Sequence, residues 1–196
     1  MNTRRIGFLL LPLFLAGILA AAGGADNQRR RRHRRSRNDS HKYQRILRHA
    51  LGHHAQCKAY SLDGRRFAVV EQGDERLVAL LTADYSDVEG YRGVTNSLVL
   101  IDLEGVIREI KVVESEDTPP YVRRVVRKGF LDQFKGLKPG VAPEVDAVTG
   151  ATMTCDAIRD SLVETMKTFA DMAQKLDLSG PEPRAKEEST TLEKIE

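Results

Sequence analysis

The residues with the clearest chemical potential lie in one short segment, residues 146–154, directly before a strongly periodic helical pattern. Within it, Gly150 allows a tight turn, and Thr154 suits a helix N-cap with Asp156 in the first turn. Thr152 then lies beside the helix start, where unpaired backbone N–H groups and the positive end of the helix dipole favour a phosphate group. An ordinary capped turn has the same pattern, so these residues alone leave both interpretations open.

A second group of chemically capable side chains precedes the first strand pattern. It consists of His49, His53, His54 and Cys57, whose spacings of three or four would place side chains on one helix face. No second group of ligands follows and no carboxylate lies near by in sequence, so we interpret these residues as structural or incidental. With Cys155 the chain has two cysteines, too few for a disulfide-dense scaffold or a four-cysteine zinc site.

Four short apolar runs predict two β-hairpins, each with a glycine-containing turn between its strands. The runs cover residues 67–70, 77–81, 98–102 and 106–113. Gly73-Asp74 separates the first pair, and Glu104-Gly105 separates the second. The run 106–113 alternates apolar and polar residues, which predicts a strand with one face in water.

Two segments carry apolar residues at helical spacing. One runs from Tyr121 to Phe134, after Pro119-Pro120, and the other runs from Asp156 to Ala173. The second has one apolar stripe of the kind that packs into a core: Ile158, Leu162, Met166, Phe169 and Met172. Strands and helices that do not alternate regularly indicate the α+β class. We therefore predict an α+β fold in which a twisted, mostly antiparallel sheet packs with two main helices.

The 196-residue chain is predicted to have four parts of different character. Residues 1–25 start with charge, continue with an apolar run and end in small residues, which is typical of a signal peptide or a retained membrane anchor. Residues 26–56 are predicted to be an Arg-rich linker and residues 57–176 the globular domain. Residues 177–196, rich in Pro, Glu and Lys, are predicted to be a disordered acidic tail.

The linker contains the run Arg29–Arg37, in which seven of nine residues are arginine. Such a block repels itself and cannot be buried, so we expect it to be extended and disordered. Three interpretations remain open. The run contacts anionic lipid headgroups, it binds the phosphates of nucleic acid, or it is a solvated spacer without a partner.

The net charge of +3 hides an uneven distribution. Twelve of the 31 Lys and Arg residues precede His49, against two of the 28 Asp and Glu residues. Residues 49–196 therefore carry 19 basic and 26 acidic side chains, a net charge of −7. Because the positive charge belongs to the N-terminal arm, we do not expect the folded body to bind nucleic acid.

The motif at residues 146–152, Asp-Ala-Val-Thr-Gly-Ala-Thr, resembles the attachment motif of FMN-binding domains in sodium-translocating NADH:quinone reductase and Rnf-type complexes. The family has glycine more often where Ala147 stands. Further likenesses follow in family order over most of residues 85–170. They are Gly90-Tyr91-Arg92-Gly93, similar to a glycine–tyrosine element; Glu116-Asp117-Thr118-Pro119, similar to an acidic-Thr-Pro loop; and residues 130–136, similar to a helix end.

Three residues after the first proline of that loop distinguish this chain within the resemblance. Pro120 stands where the family usually has glycine, and Tyr121-Val122 is closer to the version in membrane-bound regulators of nitrous oxide respiration.

The resemblance implies a covalent flavin. In the family, a flavin transferase takes FMN from FAD with magnesium and joins it by a phosphoester bond to the last threonine of the motif, here Thr152. The residues that the resemblance assigns to cofactor binding are Thr152, Ala151, Gly150, Thr149, Asp146, Thr154, Tyr91 and Thr118. A threonine hydroxyl is a poor nucleophile without a neighbouring base, and no histidine follows His54. We therefore expect the chain to be the substrate of the modification and not its catalyst, and we assign it no catalytic or metal-binding residue.

The function implied is that of an electron carrier whose FMN performs the redox chemistry while the protein sets its orientation and potential. Its location is then extracytoplasmic, either periplasmic or membrane-anchored and facing outward, with membrane or soluble redox partners. Two other functions remain open. One is a redox-sensing regulatory flavodomain, and the other is an adaptor that acts through Arg29–Arg37 while the domain only folds.

Overall fold

The structure, a computed structural model, describes residues 39–52, 55–141, 143–186 and 189–195. The predicted targeting segment at residues 1–25 and the run Arg29–Arg37 lie outside the described residues. Contacts divide the chain into residues 1–42 and Tyr43–Glu196, and the second unit holds the sheet and its helices. Within the described ranges, no helix is both long and apolar enough to cross a membrane.

The main sheet has six antiparallel strands and confirms the predicted α+β class. The strands of the chain are β1 (Gln56–Leu62), β2 (Arg65–Gln72), β3 (Glu75–Leu81), β4 (Thr95–Asp102), β5 (Ile107–Ser115), β6 (Leu176–Asp177), β7 (Arg184–Ala185) and β8 (Leu192–Ile195). Their order in the sheet is β5-β4-β3-β2-β1-β8, and β6 and β7 form a separate short ribbon. The two predicted hairpins are confirmed as β2–β3 and β4–β5.

The central strands are apolar on both faces, because helices cover both sides of the sheet. Along β2, Phe67 and Val69 face one buried cluster, whereas Ala68 and Val70 face the other. We call the first cluster the α3-side core, because the stripe from Ile158 to Met172 fills it. All five residues of that predicted stripe are buried, which confirms their role in the core.

The second cluster, the α1-side core, is covered by a helix near the start of the described chain. This helix, α1, spans residues 39–51. Tyr43 and Leu47 are buried in the α1-side core against strand residues such as Leu98 and Leu100. The compact unit therefore begins at Tyr43, earlier than the predicted boundary at residue 57.

The end of the chain also differs from the prediction of a loose tail from residue 177 onward. Strand β8 pairs with β1 in register Leu62↔Leu192 to Ala59↔Ile195, and β7 pairs with β6. Leu192 packs against the α3-side core and Ile195 against the α1-side core. Two apolar side chains among charged ones are thus enough to add a strand at the edge of a preformed sheet.

The segment predicted as one helix from Tyr121 to Phe134 is two elements. Helix α2 spans Pro119–Arg127, and a 3-10 helix spans Phe130–Phe134. Gly129 separates them with φ of 71°, a left-handed conformation that ends an α-helix and that glycine adopts without strain. The two prolines lie in the first turn of α2, where the missing N–H has no intrahelical partner to lose. The second predicted helix, α3, is longer than expected and spans Thr152–Gln174.

Helix α1 can be tested as a part of the core. We expect Leu47→Ala to lower the free energy of unfolding by about 2–5 kcal/mol, because a fully buried leucine is replaced by a cavity. Urea denaturation of the full chain followed by circular dichroism measures this change. Arg45→Ala, an exposed position on the same helix, is the control and should change stability by less than about 0.5 kcal/mol. Equal stability of the two variants would contradict the packing of α1.

Candidate functional site

The 146–152 motif forms an extended approach and a tight turn that lead directly into α3. Gly150 has φ of 77°, in the left-handed region that favours glycine, and Ala151 occupies the N-cap without a side-chain hydrogen bond. Thr152 is the first residue of the helix and is exposed. The prediction that Thr154 caps the helix with Asp156 in the first turn is wrong, because the N-cap is Ala151, three residues earlier, and the helix already begins at Thr152.

Two side chains from elsewhere hold the backbone of the motif. The Gln133 amide pairs with Asp146 twice: its Oε1 accepts from the Asp146 N–H at 2.8 Å, and its Nε2 donates to the Asp146 carbonyl at 3.1 Å. The Cys155 sulfur accepts from the Val148 N–H at 3.3 Å. Burial raises the pKa of the Cys155 thiol, so this sulfur is neutral and acts as a hydrogen-bond acceptor inside the protein.

A buried carboxylate joins the start of α3 to two loops. Asp117 is 2% exposed. Its Oδ2 accepts a hydrogen bond from the Thr154 hydroxyl, with 2.7 Å between the two oxygens. Its Oδ1 accepts from the backbone N–H of Thr118 at 2.6 Å and of Arg92 at 3.1 Å. Thr154 is therefore a structural residue, since its buried hydroxyl is fully engaged in fixing α3 to the 115–118 loop.

Two glycines let the 90–93 loop approach this carboxylate. A Cβ atom on Gly90 would collide with the Asp117 carboxylate, and one on Gly93 would lie 2.9 Å from the Glu116 Cβ. The Gly90 N–H also donates to the Gly93 carbonyl at 2.9 Å, which closes the loop. The glycine–tyrosine element and the acidic-Thr-Pro loop are thus packed on each other, and Tyr91 stands at their junction.

A cation from α2 lies over the turn of the motif. The Arg124 Nη1 atom is 3.4 Å from both the Thr149 and the Gly150 carbonyl oxygens. A Cβ atom on Gly150 would come within 2.5 Å of that nitrogen, so glycine is needed for the guanidinium to lie there. Arg124 was not predicted as a site residue. The only sequence signal for it is its position one turn after Tyr121 on the same helix.

Two exposed tyrosines meet beside the Asp117 cluster. The rings of Tyr91 and Tyr121 contact edge to face with centroids 6.4 Å apart, and they are 57% and 36% exposed. Tyr91 is held by the 90–93 loop, and Tyr121 lies in the first turn of α2, after Thr118. The two rings together form a small exposed aromatic surface beside the Asp117 cluster.

The structure brings most of the predicted site residues to one region of the surface. Thr149, Gly150, Ala151 and Thr152 form the turn and the helix start, and Thr154 links them to the Asp117 cluster that carries Thr118 and Tyr91. Asp146 is exposed and lies at the far end of the motif, where it pairs with Gln133 through its backbone. Three residues that were not predicted as site residues hold this arrangement together: Asp117, Gln133 and Arg124.

The residues present could hold a phosphate group beside an aromatic ring. The start of α3 offers first-turn N–H groups that no N-cap side chain covers, and the Arg124 guanidinium adds a full positive charge beside them. The Thr118 hydroxyl oxygen is buried and has no hydrogen-bond partner in the described part of the chain. Together with the tyrosine pair, these groups offer the site a charge, an unused polar atom and an aromatic surface.

The described residues do not show a metal site at the group His49, His53, His54 and Cys57. His53 and His54 lie outside the described residues. Among the residues that are described, no three His, Cys, Asp or Glu side chains lie together as a metal site. The interpretation of these residues as structural or incidental stays a prediction.

Comparison with known families identifies the region that holds the site. The model of the FMN-binding domain matches residues 90–167, from the 90–93 loop to the third quarter of α3. The match confirms the resemblance that the motif at residues 146–152 indicates, and it supports FMN as the cofactor. No curated protein matches the chain.

The Asp117 cluster generates a prediction about stability. Asp117→Ala leaves the buried Thr154 hydroxyl and two part-buried backbone N–H groups without their acceptor, so we expect the free energy of unfolding to fall by about 2–4 kcal/mol. Asp117→Asn should cost less, because its amide oxygen still accepts from the backbone and its nitrogen can donate to the Thr154 hydroxyl. Urea denaturation measures both variants.

The matched control is Glu116→Ala, which removes an exposed carboxylate next in the chain but keeps the Cβ that Gly93 contacts. It should change stability by less than about 0.5 kcal/mol. If Asp117→Ala were no less stable than Glu116→Ala, the carboxylate would not be what fixes α3 to the two loops.

Proposed function

We propose that this chain, whose residues 90–167 form an FMN-binding domain, is an electron carrier with FMN esterified to Thr152. One observation carries the proposal. Thr152 is the exposed first residue of α3, and it follows a left-handed glycine turn over which the Arg124 guanidinium lies. A hydroxyl in that position is accessible to a modifying enzyme and already has groups beside it that stabilise a phosphate.

The attachment is a transfer reaction in which the Thr152 oxygen is the nucleophile. The Thr152 Oγ–phosphorus bond forms, the bond between that phosphorus and the bridging oxygen of the FAD pyrophosphate breaks, AMP leaves, and the hydroxyl proton is released. The described side chains supply no base to Thr152, because the nearby Asp117 carboxylate is buried and occupied by Thr154. A separate flavin transferase must therefore supply the base and the magnesium.

After transfer, the phosphoester carries one negative charge at the start of α3. The positive end of the helix dipole and the Arg124 guanidinium both stabilise this charge. Arg124 also fixes the turn through the two carbonyl oxygens that it contacts. These contacts restrain the turn that directly precedes the proposed attachment point.

The same surface has groups suited to the flavin ring. The Tyr91–Tyr121 pair offers aromatic faces, and the Thr118 hydroxyl offers an unused hydrogen-bonding group close to the start of α2. When bound, FMN supplies the exchange of electrons, and the protein residues orient it and keep it exposed to other molecules. A carrier needs such exposure, because it must meet a donor and an acceptor in turn.

The location and partners belong to the same proposal. An extracytoplasmic site of action follows from the signal-like residues 1–25, which lie outside the described residues. The partners are a flavin transferase and membrane or soluble redox proteins. A fused reporter that works only outside the cytoplasm should be active. Activity of a fused reporter that works only inside the cytoplasm would contradict the proposed location.

Intact mass spectrometry tests the attachment site. The full chain, co-expressed with a flavin transferase, should weigh more than its amino acids by one FMN less one water, even after denaturation. Thr152→Val should lose this mass completely because it keeps the shape of the side chain without the oxygen. Thr152→Ser should retain it, because serine keeps the nucleophile.

Met153→Ala is the matched control, since Met153 is adjacent and 61% exposed but carries no acceptor oxygen. Its FMN content should equal that of the parent. Fragmentation of the flavin-bearing peptide then assigns the modified residue directly. Flavin that stays bound to denatured Thr152→Val would show that another residue is the acceptor.

A further inference from the structure

The exposed side of α2 carries a group of like charges. Residues 119–128 contain four cations and no acidic residue: Arg123, Arg124, Arg127 and Lys128. All four are exposed. We call these four residues the α2 basic face. It is unusual in a body, residues 49–196, whose net charge is −7.

The structure provides little internal use for these charges. Arg124 contacts the motif turn, but Arg123, Arg127 and Lys128 form no ion pair with any described residue. Cations near the C-terminus of a helix stabilise it through the helix dipole, which gives Arg127 and Lys128 a structural role. Arg123 lies in the middle of the helix, where that role does not apply.

The α2 basic face is continuous with the candidate flavin site. Arg124 belongs to both, and Tyr121, which pairs with Tyr91, lies on the same short helix. Val126, an apolar residue that is 46% exposed, stands among the cations. Arginine and tyrosine are enriched in protein–protein interfaces, where they often contribute most of the binding energy, and the cores of such interfaces are apolar.

We infer that the α2 basic face is the docking surface for an acidic patch on a redox partner protein. The inference rests on the proposed function, since it makes the flavin the group that the partner must reach. Opposite charges steer such a partner to the side of the molecule where Thr152 lies, and steering raises the rate of encounter more than the affinity. A protein is favoured over a lipid surface because the face is one short helix with aromatic groups at one end, adjacent to the site of electron exchange.

Charge reversal tests this surface with small redox probes. In the full FMN-loaded chain, Arg123→Glu/Arg127→Glu leaves Arg124 in place, so the FMN content should not change. After reduction of the flavin to FMNH₂ with dithionite, each molecule gives two electrons to two ferricyanide ions and releases two protons to solvent, which restores FMN. Stopped-flow measurements at low ionic strength should show ferricyanide oxidation slowed about tenfold in the variant. Oxidation by the hexaammineruthenium(III) cation should become faster, and both differences should shrink at high salt.

Lys138→Glu/Lys167→Glu is the matched control, because it changes the net charge equally at two exposed lysines that border a different cavity. Lys167 lies about 22 Å along α3 from Thr152, at 1.5 Å per residue. This control should change the two rates much less. If it changed them as much as the α2 reversal, the effect would be one of net charge and the docking surface would be refuted.

A second readout needs no flavin. In the apo full chain with the arginines of Arg29–Arg37 replaced by glutamine, fluorescence anisotropy follows binding of a labelled hexaglutamate peptide. The α2 reversal should abolish this binding, whereas the lysine control should retain it. Absence of binding in the unreversed chain, or binding to vesicles of anionic lipid but not to the peptide, would overturn the inference. Absence of flavin from the parent chain would instead refute the proposed function and leave the peptide result to decide the docking surface.

Discussion

The carboxylate of Asp117 is the interaction on which the geometry of the site depends. It is buried, and it accepts hydrogen bonds from the 90–93 loop, from the start of α2 and from Thr154 in the first turn of α3. A buried carboxylate is unfavourable unless its oxygens are satisfied, so the three segments are held together as one unit. The tyrosine pair, Arg124 and Thr152 owe their common location to this arrangement.

The sheet provides the stable support for this arrangement, because it carries an apolar core on each of its two faces. Helices on both faces bury the middle of the central strands, and this packed centre fixes the ends of β4 and β5 from which the site loops extend. The site itself lies at the surface and uses side chains with little burial of their own, apart from Asp117 and Thr154. Most of the buried core and most of the candidate site therefore lie in different parts of the fold, and Asp117 and Thr154 connect them.

Patterns that depend on neighbouring residues could be predicted from the sequence, whereas contacts between distant residues could not. The stripe of α3 and the two hairpins follow from local periodicity and turn residues. The roles of Asp117 and Thr154 depend on a contact between residues 37 positions apart, and Thr154 was instead predicted to be a cap. The contact of Arg124 with Gly150 spans 26 positions and has no local signature. The pairing of β8 was missed because only two of its four residues are apolar and it lies among charged residues, so its order comes from the strand beside it.

That last strand has a consequence for handling the protein. β8 covers the outer edge of β1, whose backbone groups would otherwise be open to pairing with another molecule. Trimming the C-terminus as a dispensable extension would uncover a template for intermolecular β-pairing and so favour aggregation. An affinity tag at the C-terminus should therefore follow β8 through a spacer and should not replace that strand.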